Sequence, residues 1–218
     1  MARIVFDLDG TLIDSAPDIH GIANALLTAD GYDPITLEQA RDFIGNGAAV
    51  FVQRMRAARG IPDSRQERML MDFVANYDRA VTLTRPYAGV EAALRTLRGQ
   101  GHRLGICTNK PLRATKAVLD HLGLSPYFET VWGGDSLPVH KPDPSPLDAA
   151  FRKLGEGPEI YVGDSEVDAE TAQRAMVPFL LFTEGYRKTS LSMIPHTATF
   201  SAFDGLPDLV SSLLAEAA

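Results

Sequence analysis

The stretch that decides the fold is "ARIVFDLDGTLIDS", residues 2–15. Ile4, Val5 and Phe6 make a short strand-like run that leads directly into Asp7, with a second carboxylate at Asp9. Residues two apart on an extended chain point to the same side, with side-chain roots roughly 7 Å apart. Two charges at that distance repel by about 2 kcal/mol at an effective dielectric near 20. Stability gives no reason to set that repulsion at the end of an apolar strand. For Asp9 and Gly10 alone an ordinary turn is the simpler reading, because Asp-Gly is a common turn dipeptide. The rest of the chain decides the matter.

Working outward, "SAPDIHGIANALLTADG" (residues 15–31) places Ile19, Ile22, Ala23, Leu26 and Leu27 at helical spacing, with Ser15 as cap and Gly31 as stop. Helical signals then continue with no strand. "TLEQ" at Thr36 to Gln39 and "SRQE" at Ser64 to Glu67 both read as capping boxes. Met69, Leu70, Phe73, Val74, Tyr77 and Val81 share one face of a helix expected from Ser64 to Val81. From Pro86 the pattern alternates. Strands are expected in "HRLGICT", "ETVWGG", "EIYVGD" and "PFLLFT", separated by amphipathic helices and closed by the helix "LPDLVSSLLAEA". Apolar strands alternating with helices predict a doubly wound, Rossmann-like parallel sheet covered on both faces. Residues 1–14 and 86–218 form that discontinuous α/β core, and residues 15–85 form an all-helical insertion.

In an open parallel sheet, ligands bind beyond the carboxyl ends of the strands. The first end gives Asp7 and Asp9, followed by Gly10 and Thr11; the second gives Thr108 and Asn109. The third leads through "GGDSLPVHKPDP" to Lys141, and the fourth gives Asp164, Ser165 and, one turn on, Asp168. Three carboxylates in one crevice need a cation, and oxygen ligands without His or Cys favour Mg²⁺. Lys141 has the wrong sign for a metal ligand but suits an anion beside the metal. A phosphate held by Lys141, the Thr108 hydroxyl and backbone N–H groups fits. Asp7, beside the metal and Lys141, stays ionised and can attack phosphorus. Asp9, facing a like charge, is favoured as the acid and serves as proton donor and then acceptor. Gly10 lets the backbone turn so that both side chains face the substrate. Asp168 either supports this site or simply caps or pairs with a neighbour.

Composition excludes other classes. A formal charge of −7 leaves no basic face for nucleic acid or an anionic membrane. Arg54, Arg56 and Arg59 read as a solvated helix face. The single cysteine, Cys107, sits in an apolar run, as a buried reduced thiol does. No stretch has the form of a secretion signal or reaches the roughly 18 apolar residues of a membrane span, so a cytoplasmic protein is expected.

"DLDGTLIDS", "TN" after a strand, "KPDP" and "GDSEVD" together resemble the four ordered motifs of the haloacid dehalogenase superfamily, and the helical insertion resembles its cap. The resemblance implies that Asp7 becomes an aspartyl-phosphate and that Asp9 is the general acid and base. It implies that Thr108 and Lys141 bind the transferring phosphoryl group. Mg²⁺ would be held by the Asp7 carboxylate, the Asp9 backbone carbonyl and the Asp164 carboxylate. Within the superfamily, "SAPDI", "IGNG", "GGDSLPVHKPDPSPL" and "VGDSEVD" are most similar to phosphoglycolate phosphatases; sugar-phosphate phosphatases and mutases share most of these strings. Two places depart from the common pattern: Ala175 and Met176 stand where Ala-Gly is usual, and Gly185, Tyr186 and Arg187 where Gly-Tyr-Asn is usual.

The substrate class expected is a small phosphorylated metabolite. Gly45, Asn46 and Gly47 read either as a plain turn between helices or as a loop whose N–H groups receive a small carboxylate. Asn109 and Lys110 stand ready as further substrate contacts. A phosphohexose mutase and, in a different class, a phospho-accepting signalling switch are the competing readings. A covering helical lobe and an acid-base Asp9 both argue against the switch.

Overall fold

The protein is described here by a computed structural model covering residues 1–77 and 79–216. The chain runs β1 (Arg3–Phe6), β2 (Ile13–Asp14), α1 (Ala16–Ala29), α2 (Leu37–Phe43), α3 (Gly47–Ala57), α4 (Gln66–Tyr77) and β3 (Arg85–Pro86). It continues α5 (Val90–Gly99), β4 (Arg103–Cys107), α6 (Leu112–His121), β5 (Thr130–Trp132), α7 (Ser145–Lys153) and β6 (Glu159–Gly163). It ends with α8 (Glu166–Ala175), β7 (Phe179–Phe182), β8 (Ala198–Phe200) and α9 (Leu206–Glu216). Among the described residues no helix is long and apolar enough to cross a membrane.

Six strands form a parallel sheet in the order β5-β4-β1-β6-β7-β8. β1 lies inside it, with Phe6 opposite Ile106 on one side and Val162 on the other. The chain builds outward through β4 and β5, then crosses back to β6, so the carboxyl end of β1 is the switch point at which such sheets open a crevice. Alternation along β1 divides the core. Ile4 and Phe6 join Leu104, Ile160 and Leu180 beneath residues of α5, α6 and α9. Val5 faces the other way, with Tyr161 and Leu181 against Phe151 of α7 and Ala172 of α8. Cys107 is buried on this second face, and burial pushes its thiol up to about 12, an inert state.

Helices α1 to α4 pack around a core of their own, including Ile19, Phe51, Met55, Met69 and Phe73. The Phe51 and Phe73 rings stack at 5.0 Å. The structure corrects several expectations here. Thr36 and Gln39 form the reciprocal capping box, but Ser64 does not: residues Asp63–Arg65 make a tight 3₁₀ turn with no side-chain cap. α4 ends at Tyr77, short of the expected Val81, and Val74 is 40% exposed, so the buried stripe is Met69, Phe73 and Tyr77. The expected run also crosses residue 78, and the expected last helix reaches residue 217; both lie outside the described residues. The arginines are not a solvated face. Arg56 is 3% exposed, donating to Ile61 O and Gln66 Oε1 and pairing with Asp63, while Arg59 ties to the carbonyls of Asp33 and Pro34. An unexpected two-stranded ribbon pairs Ile13 with Pro86 and Asp14 with Arg85 where the chain leaves and rejoins the sheet. β8 was also unexpected.

Met176 ends α8 in the left-handed region (φ 58°) with its side chain 91% exposed. That conformation explains why glycine is usual at this position. A non-glycine residue there costs about 1–2 kcal/mol, partly offset by the greater freedom glycine has when unfolded. Met176→Gly should therefore raise unfolding stability by about 0.5–1 kcal/mol. An unchanged or lower denaturation midpoint would contradict this.

Candidate active site

The site begins where β1 stops. The Asp7 N–H still bonds to Val162 O at 2.9 Å, so its backbone is fixed by the sheet while its side chain enters the crevice. The chain then turns around the Leu8 carbonyl, which accepts from the N–H groups of Thr11, Leu12 and Ile13. Gly10 is required twice over: its φ is 88°, and a Cβ there would lie 2.6 Å from Asp164 Oδ2 and 2.7 Å from the Tyr186 ring.

Lys141 anchors one half of the site. Its ammonium donates to Asp168 Oδ1 (2.6 Å) and Tyr161 Oη (2.9 Å) and lies 3.0 Å from Asp7 Oδ1. That last contact is an ion pair whose geometry leaves Asp7 Oδ1 buried without a hydrogen bond among the described residues. Burial would lower the ammonium, but Asp168 and then Asp7 outweigh it and hold Lys141 well above its ordinary value. Asp168 is held below its usual range against the effect of burial, because Lys141, Ser165 and Tyr161 all bond to it. Its other oxygen accepts from the Ser165 hydroxyl at 2.6 Å, closing a capping box at the start of α8. Thr11 Oγ1 donates to Asp164 Oδ1, and the Tyr186 N–H to Oδ2, both at 2.6 Å.

Asp7, Asp164 and Asp168 offer oxygens within 4.8 Å of one another. Lys141 is shared by Asp168 and Asp7, so one ammonium faces three buried carboxylates. Burial first, and then Asp168 and Asp7, push Asp164 well up; burial foremost pushes Asp7 up to about 7. Two buried carboxylates pushed up by burial, and a donor set of oxygens alone, suit a hard divalent cation.

The other half of the site differs from the expected division of labour. Asp7 is expected to be ionised beside the metal and Lys141, and without a metal burial raises it. Asp9 is expected to be tipped toward the acid by Asp7, but it has partners of its own: Lys110 Nζ at 3.0 and 3.2 Å and the Ser15 hydroxyl at 2.5 Å. Lys110 is therefore engaged by Asp9 rather than free for a substrate, and its ammonium lies 4.1 Å from the centre of the Tyr77 ring of α4. Ser15, expected as the cap of α1, makes no side-chain cap bond. Tyr186 fills that place: its hydroxyl accepts from the N–H groups of Ser15 (2.9 Å) and Ala16 (3.0 Å) and donates to Asp14.

Thr108 is buried beside Asp7 and Asp9 in the crevice. Asn109 donates to Gly45 O (3.1 Å) and Lys141 O (3.0 Å), joining the α2–α3 connection to the strand ends, while its Oδ1 is buried without a partner among the described residues. Gly45 and Gly47 have φ of 115° and 83°, and both line the crevice opposite Asp7 and Asp9. Sequence reasoning placed Tyr77 on a helix face and Arg54 on a solvated one, and gave Tyr161 and Lys188 no role. A side chain of this kind carries no signal until the fold brings it to the strand ends.

This is the site of a hydrolase on a Rossmann-like sheet, and comparison with known proteins agrees. Residues 4–182 match the haloacid dehalogenase-like hydrolase family. The chain belongs to that family. It is 51% identical over 218 residues to a protein of Cereibacter sphaeroides named phosphoglycolate phosphatase, covering 99% of this chain and 100% of that one. It is 45% identical over 209 residues to the protein of that name from Rhodobacter capsulatus, covering 95% of each chain. The crystal structure of a predicted phosphoglycolate phosphatase from Haemophilus somnus superposes with a TM-score of 0.88 at 29% identity, over 95% of this chain and 97% of that one.

Proposed function

We infer that this protein is a Mg²⁺-dependent phosphomonoesterase that hydrolyses 2-phosphoglycolate to glycolate and phosphate through an aspartyl-phosphate on Asp7. The observation that carries the reading is the buried Asp7 carboxylate, set between Lys141 and Asp164 at the switch point of the sheet. The names of the relatives at 45–51% identity support the substrate.

Asp7, Asp164 and the Asp9 backbone carbonyl would hold Mg²⁺. When bound, the ion keeps Asp7 ionised and draws charge from the phosphoryl oxygens. An Asp7 oxygen attacks phosphorus as the bond to the glycolate oxygen breaks, and Lys141 and Thr108 hold the phosphoryl group in line. Asp9 delivers a proton to the departing glycolate, then takes one from the water that attacks the phosphoenzyme. Lys110 and Ser15 fix the direction of the Asp9 carboxylate for both steps. Residues 15–85 act as the cap over a core made of 1–14 and 86–218, excluding bulk water from the acyl phosphate.

Release of phosphate from a panel of esters tests the substrate. 2-Phosphoglycolate should exceed phosphohexoses and aryl phosphates by at least about tenfold in kcat/KM. A preference for a phosphohexose would overturn the assignment.

The metal has a test that needs no turnover. In the metal-free protein burial pushes the Asp7 carboxyl up to about 7, above its unfolded value of about 3.9. The folded state thus binds the proton more tightly. The stability this gives is full below about pH 4 and is lost as pH rises through 7. Mg²⁺ competes with that proton, so the rise in Tm on adding Mg²⁺ should be small at pH 5.5 and several degrees at pH 8. Equal increments at both pH values would contradict the ligand set.

A further inference from the structure

We propose that Arg54 and Lys188 form the receiving site for the substrate carboxylate, so that specificity for a carboxylated phosphate ester resides in one cation from α3 and one from the loop after β7. This inference rests on the phosphatase reading and deepens it. Both side chains line a cavity of about 140 Å³ that also contains Asp7, Asp9 and Asp164. That is far below the ~300–1,000 Å³ of a drug-sized cleft and suits an ester with a very short carbon chain.

Neither cation is matched by a carboxylate. Arg54 donates to Asn46 Oδ1 (3.0 Å), Phe43 O (3.2 Å) and Asp42 O (3.4 Å), all neutral acceptors. The Lys188 ammonium donates to Ile44 O at 2.8 Å. Among the described residues neither forms a salt bridge. Glu166, which lines the same cavity, already accepts the backbone N–H groups of Lys188 and Thr189. Burial, followed by the charge of Arg54, lowers the Lys188 ammonium, so the two cations feel each other across the cavity.

Arg54 and Lys188 face one cavity, and the acids that share its lining already have partners: Asp7 has Lys141, Asp9 has Lys110, Asp164 has Thr11 and the Tyr186 N–H, and Glu166 has backbone N–H groups, so the two cations are what the cavity offers an incoming anion. The phosphoryl group does not supply that anion, because Lys141 and Thr108 stand on the Asp7 side. Lys110 cannot receive the carboxylate, since Asp9 occupies it. An Arg fork takes a carboxylate through two parallel bonds, and giving up Asn46 is a small loss against a charged partner. Because Arg54 belongs to the helical layer and Lys188 to the sheet layer, the bound carboxylate would also draw the two together over Asp7.

The experiment compares 2-phosphoglycolate with ethyl phosphate, in which a methyl group replaces the carboxylate, for the wild type, Arg54→Gln and Lys188→Gln. Each variant should lose about 100-fold in kcat/KM on phosphoglycolate, chiefly through KM, and far less on ethyl phosphate. Losses of equal size on both esters, or none on phosphoglycolate, would overturn the proposal. Should Arg54→Gln lose its fold through the freed carbonyls of α2, Lys188→Gln decides the matter, because its side chain holds only the Ile44 carbonyl. A wild type with no preference for phosphoglycolate would sink the substrate reading and this site together. A wild type that prefers it, with variants that keep the same preference for phosphoglycolate over ethyl phosphate, would sink this site alone.

Discussion

Asp7→Asn is expected to reduce turnover by about 10⁴-fold or more while the protein remains folded. The amide nearly matches the carboxylate in shape but cannot attack phosphorus. It also removes one of three negative charges crowded within 4.8 Å, and Lys141 keeps Asp168 as its partner. The variant should consequently melt at or above the temperature of the metal-free wild type. Parallel measurements of kcat and Tm check both halves. Activity within tenfold of wild type would remove Asp7 from the role of nucleophile.

Lys141→Met is expected to show the largest loss of stability, about 3–5 kcal/mol at pH 8, because it leaves Asp7 and Asp168 buried without their cation. The same change deprives the phosphoryl group of its fixed positive charge, so activity should fall as well. The sign of the pH dependence follows from the carboxylates. Without Lys141 the folded value of Asp7 climbs further above the unfolded one and that of Asp168 rises as well, so the variant recovers stability as pH falls and they take up protons. Urea midpoints at pH 5.5 and pH 8 read this directly. A loss below about 1 kcal/mol, or one independent of pH, would show that Lys141 is not the counter-ion on which this half of the site depends.

The residues at the strand ends were legible from sequence because two strong signals coincide there. A buried parallel strand must be apolar, so the first polar residues after it stand out, and in an open sheet all such ends face one crevice. Asp7, Asp9, Thr108 and Asp164 were placed at the crevice in this way, and Lys141 through the loop that follows the third strand; the structure brings all five to one crevice. What could not be read is whatever depends on which surfaces meet. Ser15 has the sequence of a helix cap, yet its hydroxyl goes to Asp9 because Tyr186, from a loop far along the chain, caps the helix instead. Lys110 was placed near the substrate, but the approach of Asp9 from another strand end decides where its charge goes. The β2–β3 ribbon is two residues long on each side, too short for any periodic pattern. Arg56 was read as solvated because a charge run usually is; here Gln66 and the Ile61 carbonyl surround it and exclude water.

The central claim is that phosphate passes through a covalent bond to Asp7, and trapping that bond tests it most directly. Asp9→Asn should accept the phosphoryl group from an aryl phosphate, whose leaving group needs little protonation, and release it slowly for want of a base. Acid quenching of this variant during turnover, borohydride reduction and peptide mapping by mass spectrometry should find residue 7 converted to homoserine. No other acidic residue should be altered, and the signal should vanish in Asp7→Asn. Substrate turnover with no covalent phosphoenzyme, or reduction at a different aspartate, would contradict the account.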